Sequence, residues 1–331
     1  MNTRHLGTTG PETSAIGLGL MGMSALYGPA DEAESIATIH AALDAGVTLL
    51  DTGDFYGMGD NEMLLRSAVR GRPRSDYLVS VKFGAQRGPD GAWLGYDARP
   101  SAVKTWLAYS LRRLGTDYVD IYRPARLDPN VPIEETVGAI KELIEAGYVR
   151  HVGLSEVGAD TIRRAHAVHP VADLQIEYSL FSRGIEAEIL PTVRELGIGI
   201  TAYGVLSRGL LSGRWTADSL AGPSDFRAHS PRFQGDNLDR NLELVEALRK
   251  VAQDKDVTVA QLAIAWVAAQ DELIVPLVGA RRRDRLAEAL GSLDVRLTAA
   301  DLATIEAAVP SGSASGDRYA AAQMASLDSE R

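Results

Sequence analysis

The sequence predicts an α/β fold in which eight parallel strands close into a (β/α)8 TIM barrel. Two observations predict it. Short apolar runs alternate along the whole chain with segments whose apolar residues recur at every third and fourth position. No stretch between them has the composition of a linker, which favours a single domain over residues 1–331 with a sheet buried on both faces. A doubly wound sheet with a second domain is the alternative.

The eight candidate strands are short and apolar, and each ends in small or polar residues. They are 14-SAIGLGL-20, 48-TLLDT-52, 77-YLVSVKF-83, 118-YVDIYRPA-125, 149-VRHVGLS-155, 172-ADLQIEY-178, 198-IGITAYGVL-206 and 273-LIVPLVGA-280. Helical spacing is clearest in two segments, with Val103, Trp106, Leu107, Leu111 and Leu114 in one and Val137, Ile140, Leu143 and Ile144 in the other. This alternation of strand and helix is what a barrel requires.

The composition excludes several classes of protein. The 331 residues are 45% hydrophobic and 24% charged, with a net charge of −10 and no cysteine. An acidic protein is repelled by nucleic acid and anionic membranes, so neither is an expected partner. Without cysteine there is no disulfide framework or thiolate site, and a cytoplasmic location is expected. The polar start and the absence of a long apolar run predict neither a signal peptide nor a membrane span.

Three segments interrupt the repeat. Residues 3–10 are predicted to form a small turn at the bottom of the barrel. Residues 213–237 form an unusually long loop, predicted to lie over the active site. The tail, residues 311–331, is rich in small polar residues and either drapes over a pocket or is loose.

The stretch 17-GLGLMGMSALYG-28 matches the G-x-G-x-x-G pattern of dinucleotide-binding loops. That pattern needs a helix to begin at its third glycine, so that the helix N-terminus meets the pyrophosphate. Here Gly22 is followed by loop residues, and helical spacing begins only near Asp31. We therefore interpret the stretch as a strand end and part of the pocket rim.

Polar side chains end two neighbouring predicted strands. Asp51 ends the second strand and Lys82 the third, at the end of a barrel where active sites are built. A structural ion pair would explain both, but Tyr56 follows in the loop after Asp51. An ammonium beside a phenol favours its ionised form and lowers its pKa, and Asp51 would keep Lys82 charged and oriented. The three residues predict a proton donor beside a carbonyl that receives a hydride.

These residues resemble the aldo-keto reductase family, and the resemblance covers nearly the whole chain. It rests on 49-LLDTGDFYG-57 with 61-NE-62, 117-DYVDIYRPARLDP-129, 153-GLSE-156, 175-QIEYSLFSR-183, 202-AYGVLSRGLLSG-213, 230-SPRFQGDN-237 and 279-GARRRDRLAEAL-290. The resemblance implies a (β/α)8 barrel and NADPH-dependent reduction of an aldehyde or ketone by an Asp, Tyr, Lys and His tetrad. Asp51, Tyr56 and Lys82 match the first three members.

The chain departs from the family at the fourth member of the tetrad. The family's histidine follows the fourth strand, where this sequence has Ala125, and the six histidines at positions 5, 40, 151, 166, 169 and 229 lie elsewhere. The family includes members with another residue there, among them potassium-channel β subunits and steroid double-bond reductases. Arg123 is expected to point inward one layer deeper. It either reaches the vacated space or pairs with a carboxylate in the barrel, and His229 is either idle or swings over the pocket.

The resemblance also implies a cofactor site. Ser155 and Gln175 match the residues that hold the nicotinamide carboxamide, and Tyr203 the one that stacks on its ring. The segment Val205, Leu206, Arg208 and Gly209 offers backbone N–H groups and a guanidinium to the pyrophosphate. Gly279 leads into a helix start where Arg281 and Arg285 match contacts to the adenosine 2′-phosphate. Glu288 matches the adenine contact, although the asparagine that usually follows it is Ala289.

We therefore expect an NADPH-dependent oxidoreductase that reduces a small-molecule aldehyde or ketone, with Tyr56 as proton donor and no metal. An NADPH-binding sensor or regulatory subunit with slow turnover is the alternative. A metal-dependent barrel hydrolase is disfavoured because the strand ends lack clustered ligands. Trp93 and Tyr96 either line an apolar substrate pocket or pack their own loop. The sequence leaves the specific carbonyl compound and the choice between monomer and homo-oligomer open.

Overall fold

Eight parallel strands form a closed barrel in the computed structural model, which describes residues 1–24, 27–219, 222 and 225–331. We number the barrel strands β1 (Gly17–Gly19), β2 (Leu49–Gly53), β3 (Leu78–Phe83), β4 (Val119–Pro124), β5 (Val149–Ser155), β6 (Val171–Glu177), β7 (Gly199–Tyr203) and β8 (Ile274–Gly279). Each strand pairs with the next along the chain, and β8 pairs with β1 through Val278 and Leu18. The predicted (β/α)8 barrel is confirmed, and the doubly wound alternative is wrong.

Helices surround the barrel between the strands. They are α1 (Glu32–Asp44), α2 (Asp60–Ala68), α3 (Pro100–Leu114), α4 (Ile133–Glu145), α5 (Ala159–Val168), α6 (Ile189–Leu196), α7 (Gly235–Asp254), α8 (Val259–Ala269), α9 (Arg283–Leu290), α10 (Ala299–Ala308) and the short α11 (Ala321–Met324). The spacing of apolar residues determines which face packs inward: Val103 and Leu107 are buried on α3, and Val137 and Ile140 on α4. Among the described helices, none is long and apolar enough to cross a membrane.

The N-terminal segment closes the end of the barrel where the strands begin. Thr3–His5 and Glu12–Ser14 form an antiparallel hairpin. Leu6 at its turn is fully buried in a cluster with one residue from each of three barrel strands, namely Leu49, Ile121 and Val275. Burying these side chains removes apolar surface from water at the bottom of the barrel. We therefore expect the functional site at the opposite end, where the strands end.

Strand β1 is shorter than the sequence predicts. The predicted run began at Ser14, but Ser14 ends the N-terminal hairpin and β1 covers only Gly17–Gly19. A Cβ atom at Gly17 would lie 2.9 Å from Leu277 Cδ1 and 3.0 Å from Leu49 Cδ2. Gly17 is therefore required by side-chain packing against β2 and β8. A short 3-10 turn, Met21–Met23, follows, and the predicted rim residues Ala25 and Leu26 lie outside the described residues.

Two further segments lie at the C-terminal ends of the strands. Ala85–Arg87 and Trp93–Tyr96 form an antiparallel hairpin after β3. In this hairpin the Trp93 and Tyr96 rings meet edge to face, with their centroids 5.0 Å apart. The long loop contains 3-10 turns at Phe226–His229 and Pro231–Phe233, while its residues 220–221 and 223–224 lie outside the description.

Candidate active site

A buried ion pair forms the floor of the candidate site. Asp51 on β2 and Lys82 on β3 are 3% and 4% exposed, and Lys82 Nζ donates a hydrogen bond to Asp51 Oδ1. The other carboxylate oxygen accepts hydrogen bonds from Ser80 Oγ and Gln175 Nε2, each at 2.8 Å. Burial lowers the pKa of Lys82 to about 8, although the Asp51 carboxylate opposes this shift. The Asp51 carboxylate holds the ammonium in one position, and both of its oxygens already accept hydrogen bonds.

Tyr56 lies over this pair because of the turn that follows β2. The Lys82 ammonium is 5.1 Å from the centroid of the Tyr56 ring. A Cβ atom at Gly53 would lie 3.3 Å from Tyr56 Cζ, so glycine leaves room for the ring against the strand end. Gly57 and Met58 have φ values of 56° and 54°, and this left-handed backbone reverses the chain immediately after Tyr56. The structure thus brings Asp51, Tyr56 and Lys82 together.

The acidity of Tyr56 differs from the sequence-based expectation. The sequence predicts that the adjacent ammonium lowers the pKa of the phenol. Instead, burial and the Asp51 carboxylate raise the pKa of Tyr56 well above its usual value. The reason is that a phenolate removed from water is disfavoured, and the negative charge of Asp51 disfavours it further. The phenol of Tyr56 is therefore protonated near neutral pH.

At the position of the missing histidine, Ala125 directly follows β4. Ala125 is buried, and its backbone N–H donates to the Phe83 carbonyl at 2.8 Å, next to Lys82. Arg123 does not reach this space. It is fully buried deeper in the barrel, where Nη1 lies 3.0 Å from Asp173 Oδ2, so the ion-pair alternative holds. His229 is exposed in the long loop.

Arg126 is a residue of this site that the sequence reasoning missed. Its Nη1 donates to the Ala125 carbonyl at 2.6 Å and lies 3.5 Å from Ser155 Oγ, and its Nη2 lies 3.4 Å from the Tyr319 hydroxyl. The positive charge of the guanidinium opposes the rise in the pKa of Tyr56 and adds to the fall in the pKa of Lys82, so it acts on two of the candidate catalytic side chains. Arg123 lies on β4, where side chains alternate in direction. Arg126 lies beyond the end of this strand, where alternation gives no signal.

The predicted nicotinamide contacts lie at adjacent strand ends. Ser155 ends β5, Gln175 is buried on β6, and Tyr203 ends β7. The Tyr203 hydroxyl donates to Glu156 Oε1 at 2.7 Å and lies 2.8 Å from the Tyr319 hydroxyl. Gln175 contacts Asp51 through its amide nitrogen. The three residues therefore surround the same end of the barrel as the ion pair.

The predicted pyrophosphate segment forms a tight turn after β7. Val205 is buried and Leu206 partly so, and Ser207–Ser212 is a 3-10 turn with left-handed φ values of 55° at Arg208 and 108° at Gly209. The Arg208 guanidinium donates to Glu177 Oε2 at 3.0 Å and to the Arg318 carbonyl at 2.7 Å. It also lies 4.4 Å from the centroid of the Tyr319 ring. The arginine is thus held in place by β6 and by the tail.

The predicted 2′-phosphate and adenine contacts lie around the start of α9. Gly279 ends β8 in open space, and Arg281 Nη1 donates to the carbonyls of Gly28 and Pro29 at 3.3 and 3.1 Å. Arg285 lies 3.5 Å from Glu288 Oε2. Glu288 also accepts a hydrogen bond from Arg214 of the long loop, at 2.9 Å. Three separate chain segments converge on this helix end.

The tail is attached to the site by buried charges that the sequence reasoning did not identify. Arg318 pairs with both oxygens of Glu156, the residue after Ser155, whose φ is 55°. Burial alone would raise the pKa of Glu156, but Arg318 and further donors lower it to about 2. Glu177 on β6 lies within 3.6 Å of Arg208, Arg232 and Arg318. Partners this distant in sequence leave no local pattern by which to find them.

The buried charges of this region form one cluster. Its members are three guanidinium groups, Arg208, Arg232 and Arg318, and two buried carboxylates, Glu156 and Glu177. A third carboxylate, Glu330 at the end of the tail, accepts a hydrogen bond from Arg318 Nε at 2.9 Å, so the positive charges are balanced. Ion pairs of this kind stabilise buried charges and attach the tail to the strand ends.

Comparisons with known proteins agree with this architecture. The sequence matches the model of the Aldo/keto reductase family over residues 15–310. Probable aldo-keto reductase 1 from Glycine max is 44% identical over 317 residues, which are 95% of this chain and 90% of that protein. The glycerol dehydrogenase of Gluconobacter oxydans shares the fold with a TM-score of 0.85 at 28% identity, over 92% of this chain and 94% of that one. An aldo-keto reductase from Bacillus halodurans, solved in its holo form, shares the fold with a TM-score of 0.79 at 26% identity, over 94% of this chain and 97% of that one. With a barrel, a strand-end ion pair and relatives of this similarity, the chain belongs to the aldo-keto reductase family.

Proposed function

We propose that this aldo-keto reductase uses NADPH to reduce an aldehyde or ketone to an alcohol, with Tyr56 as the proton donor. The observation that supports the proposal is the buried Asp51–Lys82 pair, with its ammonium 5.1 Å from the centroid of the Tyr56 ring. A proton donor above a fixed positive charge suits a reaction in which negative charge develops on a carbonyl oxygen.

The proposed reaction needs one hydride and one proton. When bound, NADPH would supply the hydride for the new C–H bond at the carbonyl carbon, and the C=O π electrons would move to oxygen. Tyr56 transfers its phenolic proton to that oxygen, which becomes the hydroxyl of the alcohol. Because the pKa of Tyr56 is raised, the basicity of its phenolate is closer to that of the alkoxide. Lys82 stabilises the tyrosinate, which remains until solvent returns a proton.

The proposed cofactor site uses the predicted residues in three groups. Ser155, Gln175 and Tyr203 hold the nicotinamide end, and Val205, Leu206, Arg208 and Gly209 hold the pyrophosphate. Gly279, Arg281, Arg285 and Glu288 hold the adenosine end, with the two arginines on the 2′-phosphate. Arg281 donates to the backbone carbonyls of Gly28 and Pro29, and a guanidinium bound by neutral acceptors supports an anionic ligand at the adenosine end.

We further propose that the long loop, residues 213–237, and the tail, residues 311–331, cover this site. Asp225 in the long loop forms an antiparallel bridge with Tyr27 of the segment after β1. Tyr319 in the tail contacts Tyr203 and Arg126. The loop thus contacts the segment after β1, and the tail contacts the end of β7. Together they exclude water from the reacting groups and strengthen the electrostatic interactions between these groups.

Ala125 favours a second candidate function, in which the protein binds NADPH as a sensor and turns over slowly. A single-turnover experiment separates the two candidates. The protein is mixed with equimolar NADPH and then with excess p-nitrobenzaldehyde, and cofactor oxidation is followed by absorbance. A reductase oxidises the bound NADPH within seconds, whereas a sensor retains it.

In the same experiment, Tyr56→Phe should bind NADPH with unchanged affinity and oxidise it at least about 100-fold more slowly, because only the proton donor is lost. Cofactor binding is measured by fluorescence titration. Phenylalanine keeps the ring that packs against Gly53, so the turn is preserved. Oxidation by the variant at the rate of the unsubstituted protein would exclude Tyr56 as the donor.

A further inference from the structure

Position 125 leaves one side of the candidate site without a side-chain donor. Ala125 is buried and carries only a methyl group. Its backbone carbonyl, however, accepts a hydrogen bond of 2.6 Å from Nη1 of Arg126. The guanidinium therefore folds back over residue 125, rather than extending away from the barrel. A cationic donor lies where the alanine provides none.

The contacts of this guanidinium place it among the strand ends that form the site. Nη1 lies 3.5 Å from Ser155 Oγ at the end of β5. Nη2 lies 3.4 Å from the Tyr319 hydroxyl, which is 2.8 Å from the Tyr203 hydroxyl at the end of β7. The positive charge of Arg126 favours the ionised form of Tyr56 and so opposes the Asp51 carboxylate, which raises the pKa of the phenol.

The partners of Arg126 are neutral, and two of the three are weakly bound. In the described part of the chain, no carboxylate oxygen lies within ion-pair distance of its guanidinium. The carboxylate that raises the pKa of Arg126, Glu156, already accepts hydrogen bonds from Arg318, Tyr203 and Ser329. Two of the three hydrogen bonds of Arg126 are at the outer limit of length. Its N–H groups can therefore turn to a stronger acceptor.

We propose that Arg126 is a catalytic residue that donates an N–H to the substrate carbonyl oxygen beside Tyr56, in place of the missing histidine. The inference rests on the proposed reduction of a carbonyl compound. Arg126 keeps its proton throughout, while the proton that enters the product comes from Tyr56. A guanidinium fixed beside the oxygen orients the carbonyl and stabilises the negative charge that develops as the hydride arrives.

The test compares variants on two aldehydes of the same size, p-nitrobenzaldehyde and p-carboxybenzaldehyde. Arg126→Met should lower kcat about 100-fold for both, because the carbonyl group is common to them. Affinity for NADPH should be unchanged. The control is Arg163→Met, which makes the same chemical change on the outer face of α5, where Arg163 pairs with Glu195, and should leave kcat unchanged. Thermal unfolding of each variant shows whether it is folded.

Chemical rescue separates donation to the oxygen from a merely structural role. Arg126→Ala should regain at least about tenfold in kcat when millimolar guanidinium chloride is added, since the small cation can enter the space of the missing side chain. The double variant Ala125→His with Arg126→Met should also regain activity on the neutral aldehyde, because an imidazole donor returns to the site. Guanidinium should not accelerate Arg163→Met.

Four results would overturn the inference. These are undiminished kcat in Arg126→Met, a loss confined to KM for p-carboxybenzaldehyde, a loss of NADPH affinity, and failure of guanidinium to restore any activity to Arg126→Ala. The second would identify a site for a substrate carboxylate instead. Failure of the unsubstituted protein to oxidise NADPH with either aldehyde would overturn the proposed function itself, so the two failures are distinguishable.

Discussion

Charged side chains near Tyr56 determine how readily its phenol gives up a proton. Burial and Asp51 raise the pKa of the phenol, while Arg126 lowers it, and Lys82 lies under the ring. In the proposed reaction, Tyr56 must give up its proton only when an alkoxide forms beside it. The tyrosinate then needs the positive charge of Lys82, and that charge depends on pH.

The pH dependence of kcat should report the titration of Lys82. Burial lowers its pKa to about 8, so Lys82 is charged below that pH and neutral above it. We therefore expect kcat to be constant from about pH 6 to about pH 7.5 and to fall as the pH rises through about 8. Arg126 does not titrate in this range, so no second inflection is expected near the pKa of histidine. The measurement is kcat on p-nitrobenzaldehyde at saturating NADPH.

The control for this pH profile is Lys82→Met, which should be slow at every pH and show no inflection. A constant kcat up to about pH 10 would mean that Lys82 does not titrate as the structure indicates. An inflection near pH 6.5 would instead assign the proton transfer to a histidine.

Among the structural elements, loops contribute more to the candidate site than strands do. Two turns with left-handed residues, one after β2 and one after β7, place Tyr56 and Arg208. The tail returns across the barrel to contact both Tyr203 and Arg208 through Tyr319. The start of α9 joins this arrangement through Arg281, which donates to the carbonyls of Gly28 and Pro29. The rigid strands supply Asp51, Lys82 and the frame on which these loops rest.

The α9 region should distinguish NADPH from NADH. Replacing both Arg281 and Arg285 by alanine removes two guanidinium groups from the proposed 2′-phosphate site. Charge-assisted hydrogen bonds contribute about 1.5–3 kcal/mol each, so Kd for NADPH should rise about 100-fold or more. Kd for NADH, which lacks this phosphate, should change less than about threefold. Fluorescence titration measures both constants.

A matched control is present on the same helix. Arg283 pairs with Glu34 of α1 through two nitrogens, at 3.2 and 2.9 Å, so Arg283→Ala should leave both affinities unchanged. If the double variant weakened NADPH and NADH equally, the 2′-phosphate would bind elsewhere. If it weakened neither, the adenosine end of the cofactor would not lie at α9.

At the scale of the whole molecule, the sequence predicts those parts that depend on short-range pattern. The eight strands follow from apolar runs, and Asp51 and Lys82 could be found because polar residues at neighbouring strand ends meet in a barrel. Arg126 lies two residues beyond the strand, where alternation no longer applies. Arg318 and Tyr319 act on Glu156 and Tyr203 across more than a hundred residues. Contacts that loops make across the top of the closed barrel join residues distant in sequence, so they leave no periodic pattern.

The barrel interior also connects the ion pair of the site to the rest of the molecule. Arg123 of β4 pairs with Asp173 of β6 and donates to Thr201 of β7 at 3.1 Å and to Ser80 of β3 at 2.7 Å. Ser80 in turn donates to Asp51. One buried guanidinium thus links four strands across the barrel and supports the carboxylate that holds Lys82.

Removing the charge of Asp173 should therefore destabilise the whole barrel. Asp173→Asn leaves the fully buried Arg123 without a counter-ion, and breaking a buried pair in this way costs about 3–5 kcal/mol. The double variant Arg123→Met with Asp173→Leu removes both charges and should lose less stability than the single variant, because no unpaired charge remains buried. Urea unfolding followed by circular dichroism measures the free energy of unfolding of each protein. If the single variant were as stable as the unsubstituted protein, water or another group would have to neutralise Arg123, and the interior would not depend on this ion pair.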